Sequence, residues 1–511
     1  MRFGAFIVLS VSAFAQTPRV TDLQRAVEEF KIQTRNLGLR ADSPPSARRK
    51  SVNRPKFRGR IFENLRNDIL DATPHELRQR GSDKNLLRRN QFGFNLAGPV
   101  VGRSTFFSVS YEGVRERISR SFLRTVPTTP ERSGDFSATV DAAGQPLPLF
   151  DPASTRANPH FDPSEPVSTT NLQYLRDPFP NNAVPRSRVD PVSASVLPHY
   201  PEANTSVGPY FRNNYFVVSP ETNTANGMIL KLDHTVNEKH KVDVSTAFSN
   251  GFAGSANVFP TIADSNASDR QFASRRGSLS HVYTGSPRTI HTLYVEAASD
   301  RSENKGEIYP SYRFGDSYAA AGRANPNVKN VRNVIDAGNG LSTRVRSHSI
   351  RLATRWLHQQ QHILAPTYPA GSFHFGSGLT SLPGIVNTGH SFASFLLGLS
   401  DGAETSAVLS PSYFRTDRYN VSGRDSWEIQ KGLTLTTSLN LEVSTPRTEK
   451  YDRQSTIDPN VVNPTNGRLG ALVFANRGGY GRGFQRTQTR LEPSFGLAWN
   501  PWGQNKTVVR M

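Results

Sequence analysis

The chain has 511 residues, long for one compact core but within reach of a single large closed barrel. It contains no cysteine, which excludes disulfides and thiol-based metal or redox chemistry. Lys and Arg number 61 against 42 Asp and Glu, a formal +19 that suits nucleic acid, an acidic lipid or polysaccharide surface, or an anionic solute, while 38 Gly, 35 Pro, 30 Phe and 15 Tyr favour strands and turns over helices.

Residues 1–16 read MRFGAFIVLSVSAFAQ, with one early cation, an apolar run and an A-x-A site before Gln16. This predicts a secretory signal peptide over residues 1–15, the alternative being a buried N-terminal strand or helix. No other run reaches the ~18 apolar residues a spanning helix needs, so a membrane form of this chain would have to be a barrel. Residues 16–57 are polar and basic, with one short amphipathic run at 23–30, and residues 58–67 are the first candidate strand.

The clearest early pattern is residues 90–113. Phe92, Phe94 and Leu96 alternate with Gly93, Asn95 and Ala97, and Phe107, Val109 and Tyr111 alternate with Ser108, Ser110 and Glu112. Period two on both sides of a link holding Pro99 and Gly102 predicts an antiparallel hairpin. A long loop is predicted at about 114–226, because sixteen of the 35 prolines fall between Pro127 and Pro220. A loop of that size argues against an ordinary soluble domain.

Strands resume at 228–234, turn at 237–239 and return at 241–249, where Val242, Val244, Thr246 and Phe248 share a face. The next pair, 271–283 and 290–299, is joined by 284–288, and a polar segment then runs to about Leu341. Residues 415–428 and 433–443 are joined by 429–432, and after a long loop to Gln488 the chain closes on 493–499 and 506–510. Short links alternate with long ones, as in barrels with tight turns on one rim and long loops on the other. In 433–443, Leu433, Leu435, Thr437, Leu439, Leu441 and Val443 form one face, predicted to meet lipid, with Glu442 towards the lumen. In a soluble sandwich the same face would meet a second sheet. The fold predicted is all-β: an antiparallel transmembrane outer-membrane β-barrel with long extracellular loops, of which about a dozen strands can be counted; that the barrel is incomplete is what the resemblance given below implies.

No nucleophile elbow, zinc-protease helix, phosphate-binding P-loop or dinucleotide fingerprint occurs, and no enzyme, catalytic residue, cofactor or metal site is predicted. His358 and His362 would share a metal only on a helix, and their neighbours Gln359, Gln360 and Gln361 suggest a polar turn. Residues 264–269, with Asp264 and Asp269, carry calcium-type oxygens but lack the glycine and terminal glutamate of a calcium loop, so a solvated loop is expected. Residues 477–483 (RGGYGRG) match one RGG repeat of single-strand nucleic-acid binders, or a flexible loop. Arg344, Arg346, Arg351 and Arg355 would line a lumen or a loop edge.

Residues 60–72 (RIFENLRNDILDA), 87–113, 125–137 (TVPTTPERSGDFS), 149–156 (LFDPASTR), 175–201, 391–402 (SFASFLLGLSDG), 427–443, 448–459 and the ending SFGLAWNPWGQNKTVVR occur in collinear order. Together they resemble the Oar-like TonB-dependent outer-membrane transporters. The resemblance implies a wide barrel at residues 58–511, occluded by an N-terminal plug and driven by the TonB complex, with an unknown solute, outer-membrane lipid and lipopolysaccharide as partners and no nucleic acid. It also implies the outer membrane of a Gram-negative-type bacterium as location. Residues 26–34 (AVEEFKIQT) resemble the end of the plug, making 16–57 a plug remnant, with no recognisable TonB box. The expectation from this pattern is a fragment or truncated member, unable to transport alone and coupled to TonB only where a complete plug exists. A surface-exposed structural or adhesion barrel is the alternative, and a basic nucleic-acid-binding protein the third reading.

Overall fold

A computed structural model describes residues 57–511, except 74, 76–77, 79–83, 102–103, 142, 207–211, 267, 317, 324–326, 409, 502–507 and 511. The signal peptide and residues 16–56 of the expected plug remnant lie outside the described residues.

One antiparallel sheet runs in chain order through β1 (Arg58–Asn67), β2 (Leu87–Val101), β3 (Thr105–Arg124), β4 (Tyr215–Thr235), β5 (His240–Gly254), β6 (Asp269–Ser286), β7 (Thr289–Lys305), β8 (Lys329–Val345), β9 (His348–Leu364), β10 (Ser412–Gln430), β11 (Leu433–Ser444), β12 (Gln488–Trp499) and β13 (Val509–Arg510). Each strand pairs with its sequence neighbour, and among the described residues the two end strands do not pair, so the sheet is open.

Directly opposed residues lie on one face of a sheet, so the register reports what each face carries. One row runs Phe107, Leu232, Val244, Leu279, Val295, Ala337, Trp356, Tyr419 and Val443 across nine strands. The adjacent row, one residue along every strand, runs Phe106, Asp233, Asp243, Ser280, Tyr294, Gly338, Arg355, Asn420, Glu442 and Arg490. A slip of one residue would exchange these faces, and this is what fixes the register. The apolar face is also the more exposed: Met228, Leu230 and Leu232 are open while Ile229, Lys231 and Asp233 between them are half-covered. The sheet therefore curves with its apolar face convex and its polar face concave. Phe92, Phe94, Phe107 and Tyr111 share the apolar face and Glu442 the polar one, as the alternation predicts.

The concave face is crowded enough to need glycine. A Cβ on Gly338 would stand 2.6 Å from the Thr354 carbonyl oxygen and 2.9 Å from the Tyr294 ring, which lies across the gap instead.

The links obey the predicted rhythm. Residues 236–239, 287–288, 346–347 and 431–432 are tight, whereas 125–214, 255–268, 306–328, 365–411 and 445–487 are long. Antiparallel strands reverse direction at each link, so all the tight turns fall on one rim and all the long loops on the other. Arg346 takes φ 54° in its two-residue turn, and Gly432 takes φ 87° in another.

Several elements differ from the sequence reading. β3 runs on to Arg124 and β4 starts at Tyr215, so the Pro-rich loop is 125–214 and the strands reach into the stretch expected as loop on both sides. The strand Lys329–Val345 begins within the polar segment predicted to run to about Leu341, and Gln359, Gln360 and Gln361 lie within β9 rather than in a turn. The reason is common to both. Where strands rise beyond an apolar band, both faces are polar and period two disappears from the sequence.

Transfer of a Leu side chain from water to hydrocarbon is worth about 1.5–3 kcal/mol, so the convex face is favourable only where water is excluded. Leu230→Arg should lower the unfolding free energy in phosphocholine bilayers by about 2–4 kcal/mol, whereas Ser245→Arg on the concave face should be nearly neutral; urea titration of both variants checks the assignment.

Candidate functional site

The buried hydrophobic core lies in the loops rather than between strands. Val126, Phe136, Leu149, Phe179, Val184, Val196 and Tyr200 from loop 125–214 meet Val258, Phe259 and Ala263 from 255–268, Tyr312, Ala319 and Ala321 from 306–328, and Phe375, Phe392, Phe395 and Leu396 from 365–411. Four loops thus share one core. Rings carry much of it: Phe395 stands edge-on to Tyr312 at 5.7 Å, Phe314 at 5.6 Å and Phe375 at 5.2 Å.

Local sequence explains why these segments hold a shape. Thr128 and Glu131 form a reciprocal capping box around Thr129–Arg132, with Pro130 near its start. Asp190 caps the helix Pro191–Val196 by accepting from the N–H groups of Val192 and Ser193. Ser311–Phe314 pairs in parallel with Ser372–Phe375, which pairs with Gly402–Glu404, so a small sheet joins two loops. Arg176 donates to the carbonyls of Gly378, Leu379 and Ser381 at 3.3, 3.0 and 2.8 Å. The prolines that mark 125–214 as irregular punctuate a folded, hydrogen-bonded unit.

This cap sits on the concave side of the sheet. Phe122, Tyr215 and Val217 alternate with outward residues at the tops of β3 and β4, share the concave face by register, and pack into the loop core. At its centre His390 caps the helix Ser391–Leu396, its Nδ1 accepting from the Phe392 N–H at 3.2 Å, and its ring lies 5.1 Å from Phe136 and 5.2 Å from Tyr318. The Tyr318 hydroxyl donates to the buried Glu131 carboxylate at 2.6 Å. Burial pushes the Tyr318 phenol well above and the His390 imidazole below their ordinary values, so both stay neutral at pH 7.

The residues singled out in the sequence fall as follows. Arg344, Arg351 and Arg355 share the concave face, where Arg355 grips Asp336 through two nitrogens at 2.9 and 2.6 Å, and Arg344 lies 3.6 Å from Glu428. Arg346 is in the turn. His358 and His362 share a face of β9 but stand four residues apart, about 13 Å along a strand, too far for one metal. His358 instead bonds Asp417 at 2.8 Å. Asp264 is fully buried rather than solvated and accepts from the N–H groups of Val258 and Asn266, so that oxygen serves the loop, while Asp269 opens β6. In the RGG-like stretch, Tyr480 donates to Asp458 and Arg482 binds Asp452, both at 2.6 Å, so the segment is folded onto its own loop. Among the described residues no cluster of three His, Asp or Glu could hold a metal.

Residues 55–511 match the family model of the outer membrane beta barrel domain. The chain belongs to that family. A search of curated proteins finds no match. Among solved structures this barrel is similar to the outer membrane transporter YddB of Escherichia coli, with 7% identity, TM-score 0.42, and coverage of 90% of this chain and 43% of that one. It is similar also to a mutant of the ferric enterobactin receptor PfeA of Pseudomonas aeruginosa (9%, TM-score 0.35, 88% and 52%) and to the copper transporter OprC (10%, TM-score 0.37, 88% and 43%). The chain thus spans less than two-thirds of each of these proteins. The convex apolar band of the barrel is the lipid-facing wall, and the concave polar face is the lumen wall under the cap.

Sequence reasoning found the wall but not the cap, although FASFLL in 392–397 was an available signal of a buried turn of helix. Phe395→Ala should cost the cap about 3–5 kcal/mol and raise the protease sensitivity of all four loops together, since they share one core. Unfolded histidine binds a proton near 6.5 and His390 in the cap does so only lower, so cap stability is fullest above about 6.5 and falls with pH below it. His390→Asn keeps a cap acceptor, and hydrogen exchange of 306–328 and 365–411 between pH 7 and 5 should lose that dependence.

Proposed function

We propose that this barrel is the wall of a solute transporter of the TonB-dependent type, in which the four-loop cap selects the solute at the outer mouth. The observation that carries the reading is the seating of the cap on Phe122, Tyr215 and Val217, which places a folded unit over the polar face rather than out in solvent. A flexible fringe of loops would select little, whereas a unit with its own core can hold recognition groups in fixed positions. The concave arginines Arg351 and Arg424, directly opposed, add positive charge to the wall, suiting an anionic solute such as a metal chelate. In this reading the N-terminal signal peptide exports the chain, the long loops face outward, and no covalent reaction is catalysed. Coupling to TonB would require a plug.

An adhesion or structural role is the second reading, favoured by one feature. The hairpin Ser455–Val462 with Leu469–Phe474 presents Ile457, Leu469 and Leu472 at 68, 70 and 58% exposure, an apolar surface on a long loop.

With no native cysteine to interfere, Asn466→Cys at the tip of that hairpin should react with a membrane-impermeant maleimide on intact cells, and Ser347→Cys in a tight turn should not. Uptake of a panel of ferric chelates that requires both this chain and TonB would support transport. Outside labelling with no TonB-dependent uptake of any chelate would leave adhesion as the better reading.

A further inference from the structure

The tight turns carry a charge pattern that neither the wall nor the cap uses. Lys239, Arg288, Arg346 and Lys431 stand in the turns 236–239, 287–288, 346–347 and 431–432, one cation to each, and all four are exposed. Glu238, beside Lys239, is the carboxylate of these turns, so the four turns together carry a net three positive charges. Two strands separate one turn from the next, which sets successive cations about 10 Å apart along the rim.

These turns are held in place by their neighbours. In each, a backbone carbonyl accepts from the next hairpin: Lys239 from the Thr284 N–H at 2.7 Å, Arg288 from the Arg344 N–H at 2.9 Å, Ser347 from the Glu428 N–H at 2.9 Å and Gly432 from the Asn500 N–H at 2.6 Å. Asn237 closes its own turn, its side chain accepting from the Lys239 and His240 N–H groups at 2.9 and 3.0 Å. The ladder of the sheet thus continues into the turns and fixes the spacing of their cations. Charge on the strands just above is treated differently: Arg344 lies 3.6 Å from Glu428 and Lys231 lies 2.8 Å from Asp233, so ion pairs offset it there.

We propose that this rim is a docking surface for peptidoglycan, with Lys239, Arg288, Arg346 and Lys431 each meeting a carboxylate of its stem peptides. The inference rests on the reading that the long loops face outward, which puts the tight turns in the periplasm. Spacing selects the class of ligand. Cations about 10 Å apart do not converge on a single phosphate, but they match a polymer that offers separate carboxylates at intervals. Position argues against lipid, because side chains on the convex face meet the bilayer whereas the turns project beyond the strand ends, away from it. Each exposed contact is weak alone, and several on one fixed frame reinforce each other through effective concentration.

The test sediments the full-length chain, in detergent micelles, with purified peptidoglycan sacculi. The variant Lys239→Gln/Arg288→Gln/Arg346→Asn/Lys431→Gln should bind roughly tenfold or more weakly, with Asn chosen at 346 because it accepts the positive φ of that turn. The variant Arg186→Gln/Arg468→Gln/Arg477→Gln/Arg486→Gln removes the same charge from exposed sites on the long loops and should bind as the wild type does. Sacculi whose carboxylates have been converted to neutral amides with carbodiimide and glycinamide should bind the wild type roughly tenfold more weakly, an arm that depends on no variant. Unchanged circular dichroism confirms that each variant folds. Wild-type binding by the turn variant, or undiminished binding to amidated sacculi, would overturn the docking surface. Release of the chain from sacculi by equimolar phosphatidylglycerol in the micelles would make phospholipid the ligand and overturn peptidoglycan. Labelling of Ser347→Cys by an impermeant maleimide on intact cells would overturn the outward reading and this partner with it, whereas protection of Ser347→Cys combined with charge-independent sedimentation would overturn the docking surface alone.

Discussion

Hydrocarbon offers backbone groups no hydrogen bond, so each strand that crosses it must take all its partners from its two neighbours. That constraint produces the continuous register from β1 to β13, and the register in turn sorts every side chain to lipid or to lumen. Where Leu230 points out, Lys231 points in, and the same division is repeated through Val244 and Asp243, Val295 and Tyr294, and Leu441 and Glu442. The wall is a consequence of pairing, with apolar transfer supplying the direction in which it curves.

The cap answers to a different solvent. Above the bilayer, water restores the hydrophobic effect in its usual form, and Phe136, Phe259, Phe392 and Phe395 are removed from it completely. A transmembrane wall has no such core, because its apolar side chains already have lipid. Placing the only large core of the described residues in the loops separates two tasks: the strands fix a frame, and the loops form a compact body that can differ between relatives without disturbing the frame. Glu449 shows how firmly a loop can be tied to a strand top. Burial by itself raises the pKa of its carboxylate, but the Arg453 guanidinium and the N–H groups of Arg453, Tyr413 and Tyr451 that it accepts from outweigh this and hold the value down to about 2.

The excess of positive charge divides in the same way. Some of it faces inward in ion pairs such as Arg355 with Asp336 and Arg276 with Glu296, where a carboxylate on the next strand offsets it. Some of it is structural, as in Arg482 on Asp452 within a folded loop. Among the described residues some of it also stands outward on the upper wall, where Arg88 and Arg117 are directly opposed, so one net charge in the composition is divided by face and height.

From the sequence alone, the period-two runs around Phe92 to Tyr111 and Leu433 to Val443 determined strands, faces and the alternation of tight and long links, because side-chain alternation is a local property of a strand half in lipid. That alternation of links already pointed to an outer-membrane barrel, and family resemblance added the transporter type. What the sequence did not disclose lies where that alternation fails. Lys329–Val345 is polar on both faces at its upper end, so its strand character rests on β7 and β9 on either side. His240 and His281, far apart in the chain, meet at 3.0 Å only through the pairing of β5 with β6. The cap is the largest such case: Phe136, Tyr312 and Phe395 come from three different loops, and their contact depends on a sheet that first brings the loop ends together. Local pattern determined the wall, and only tertiary structure decided the cap, because a core assembled across loops leaves no period in any one of them.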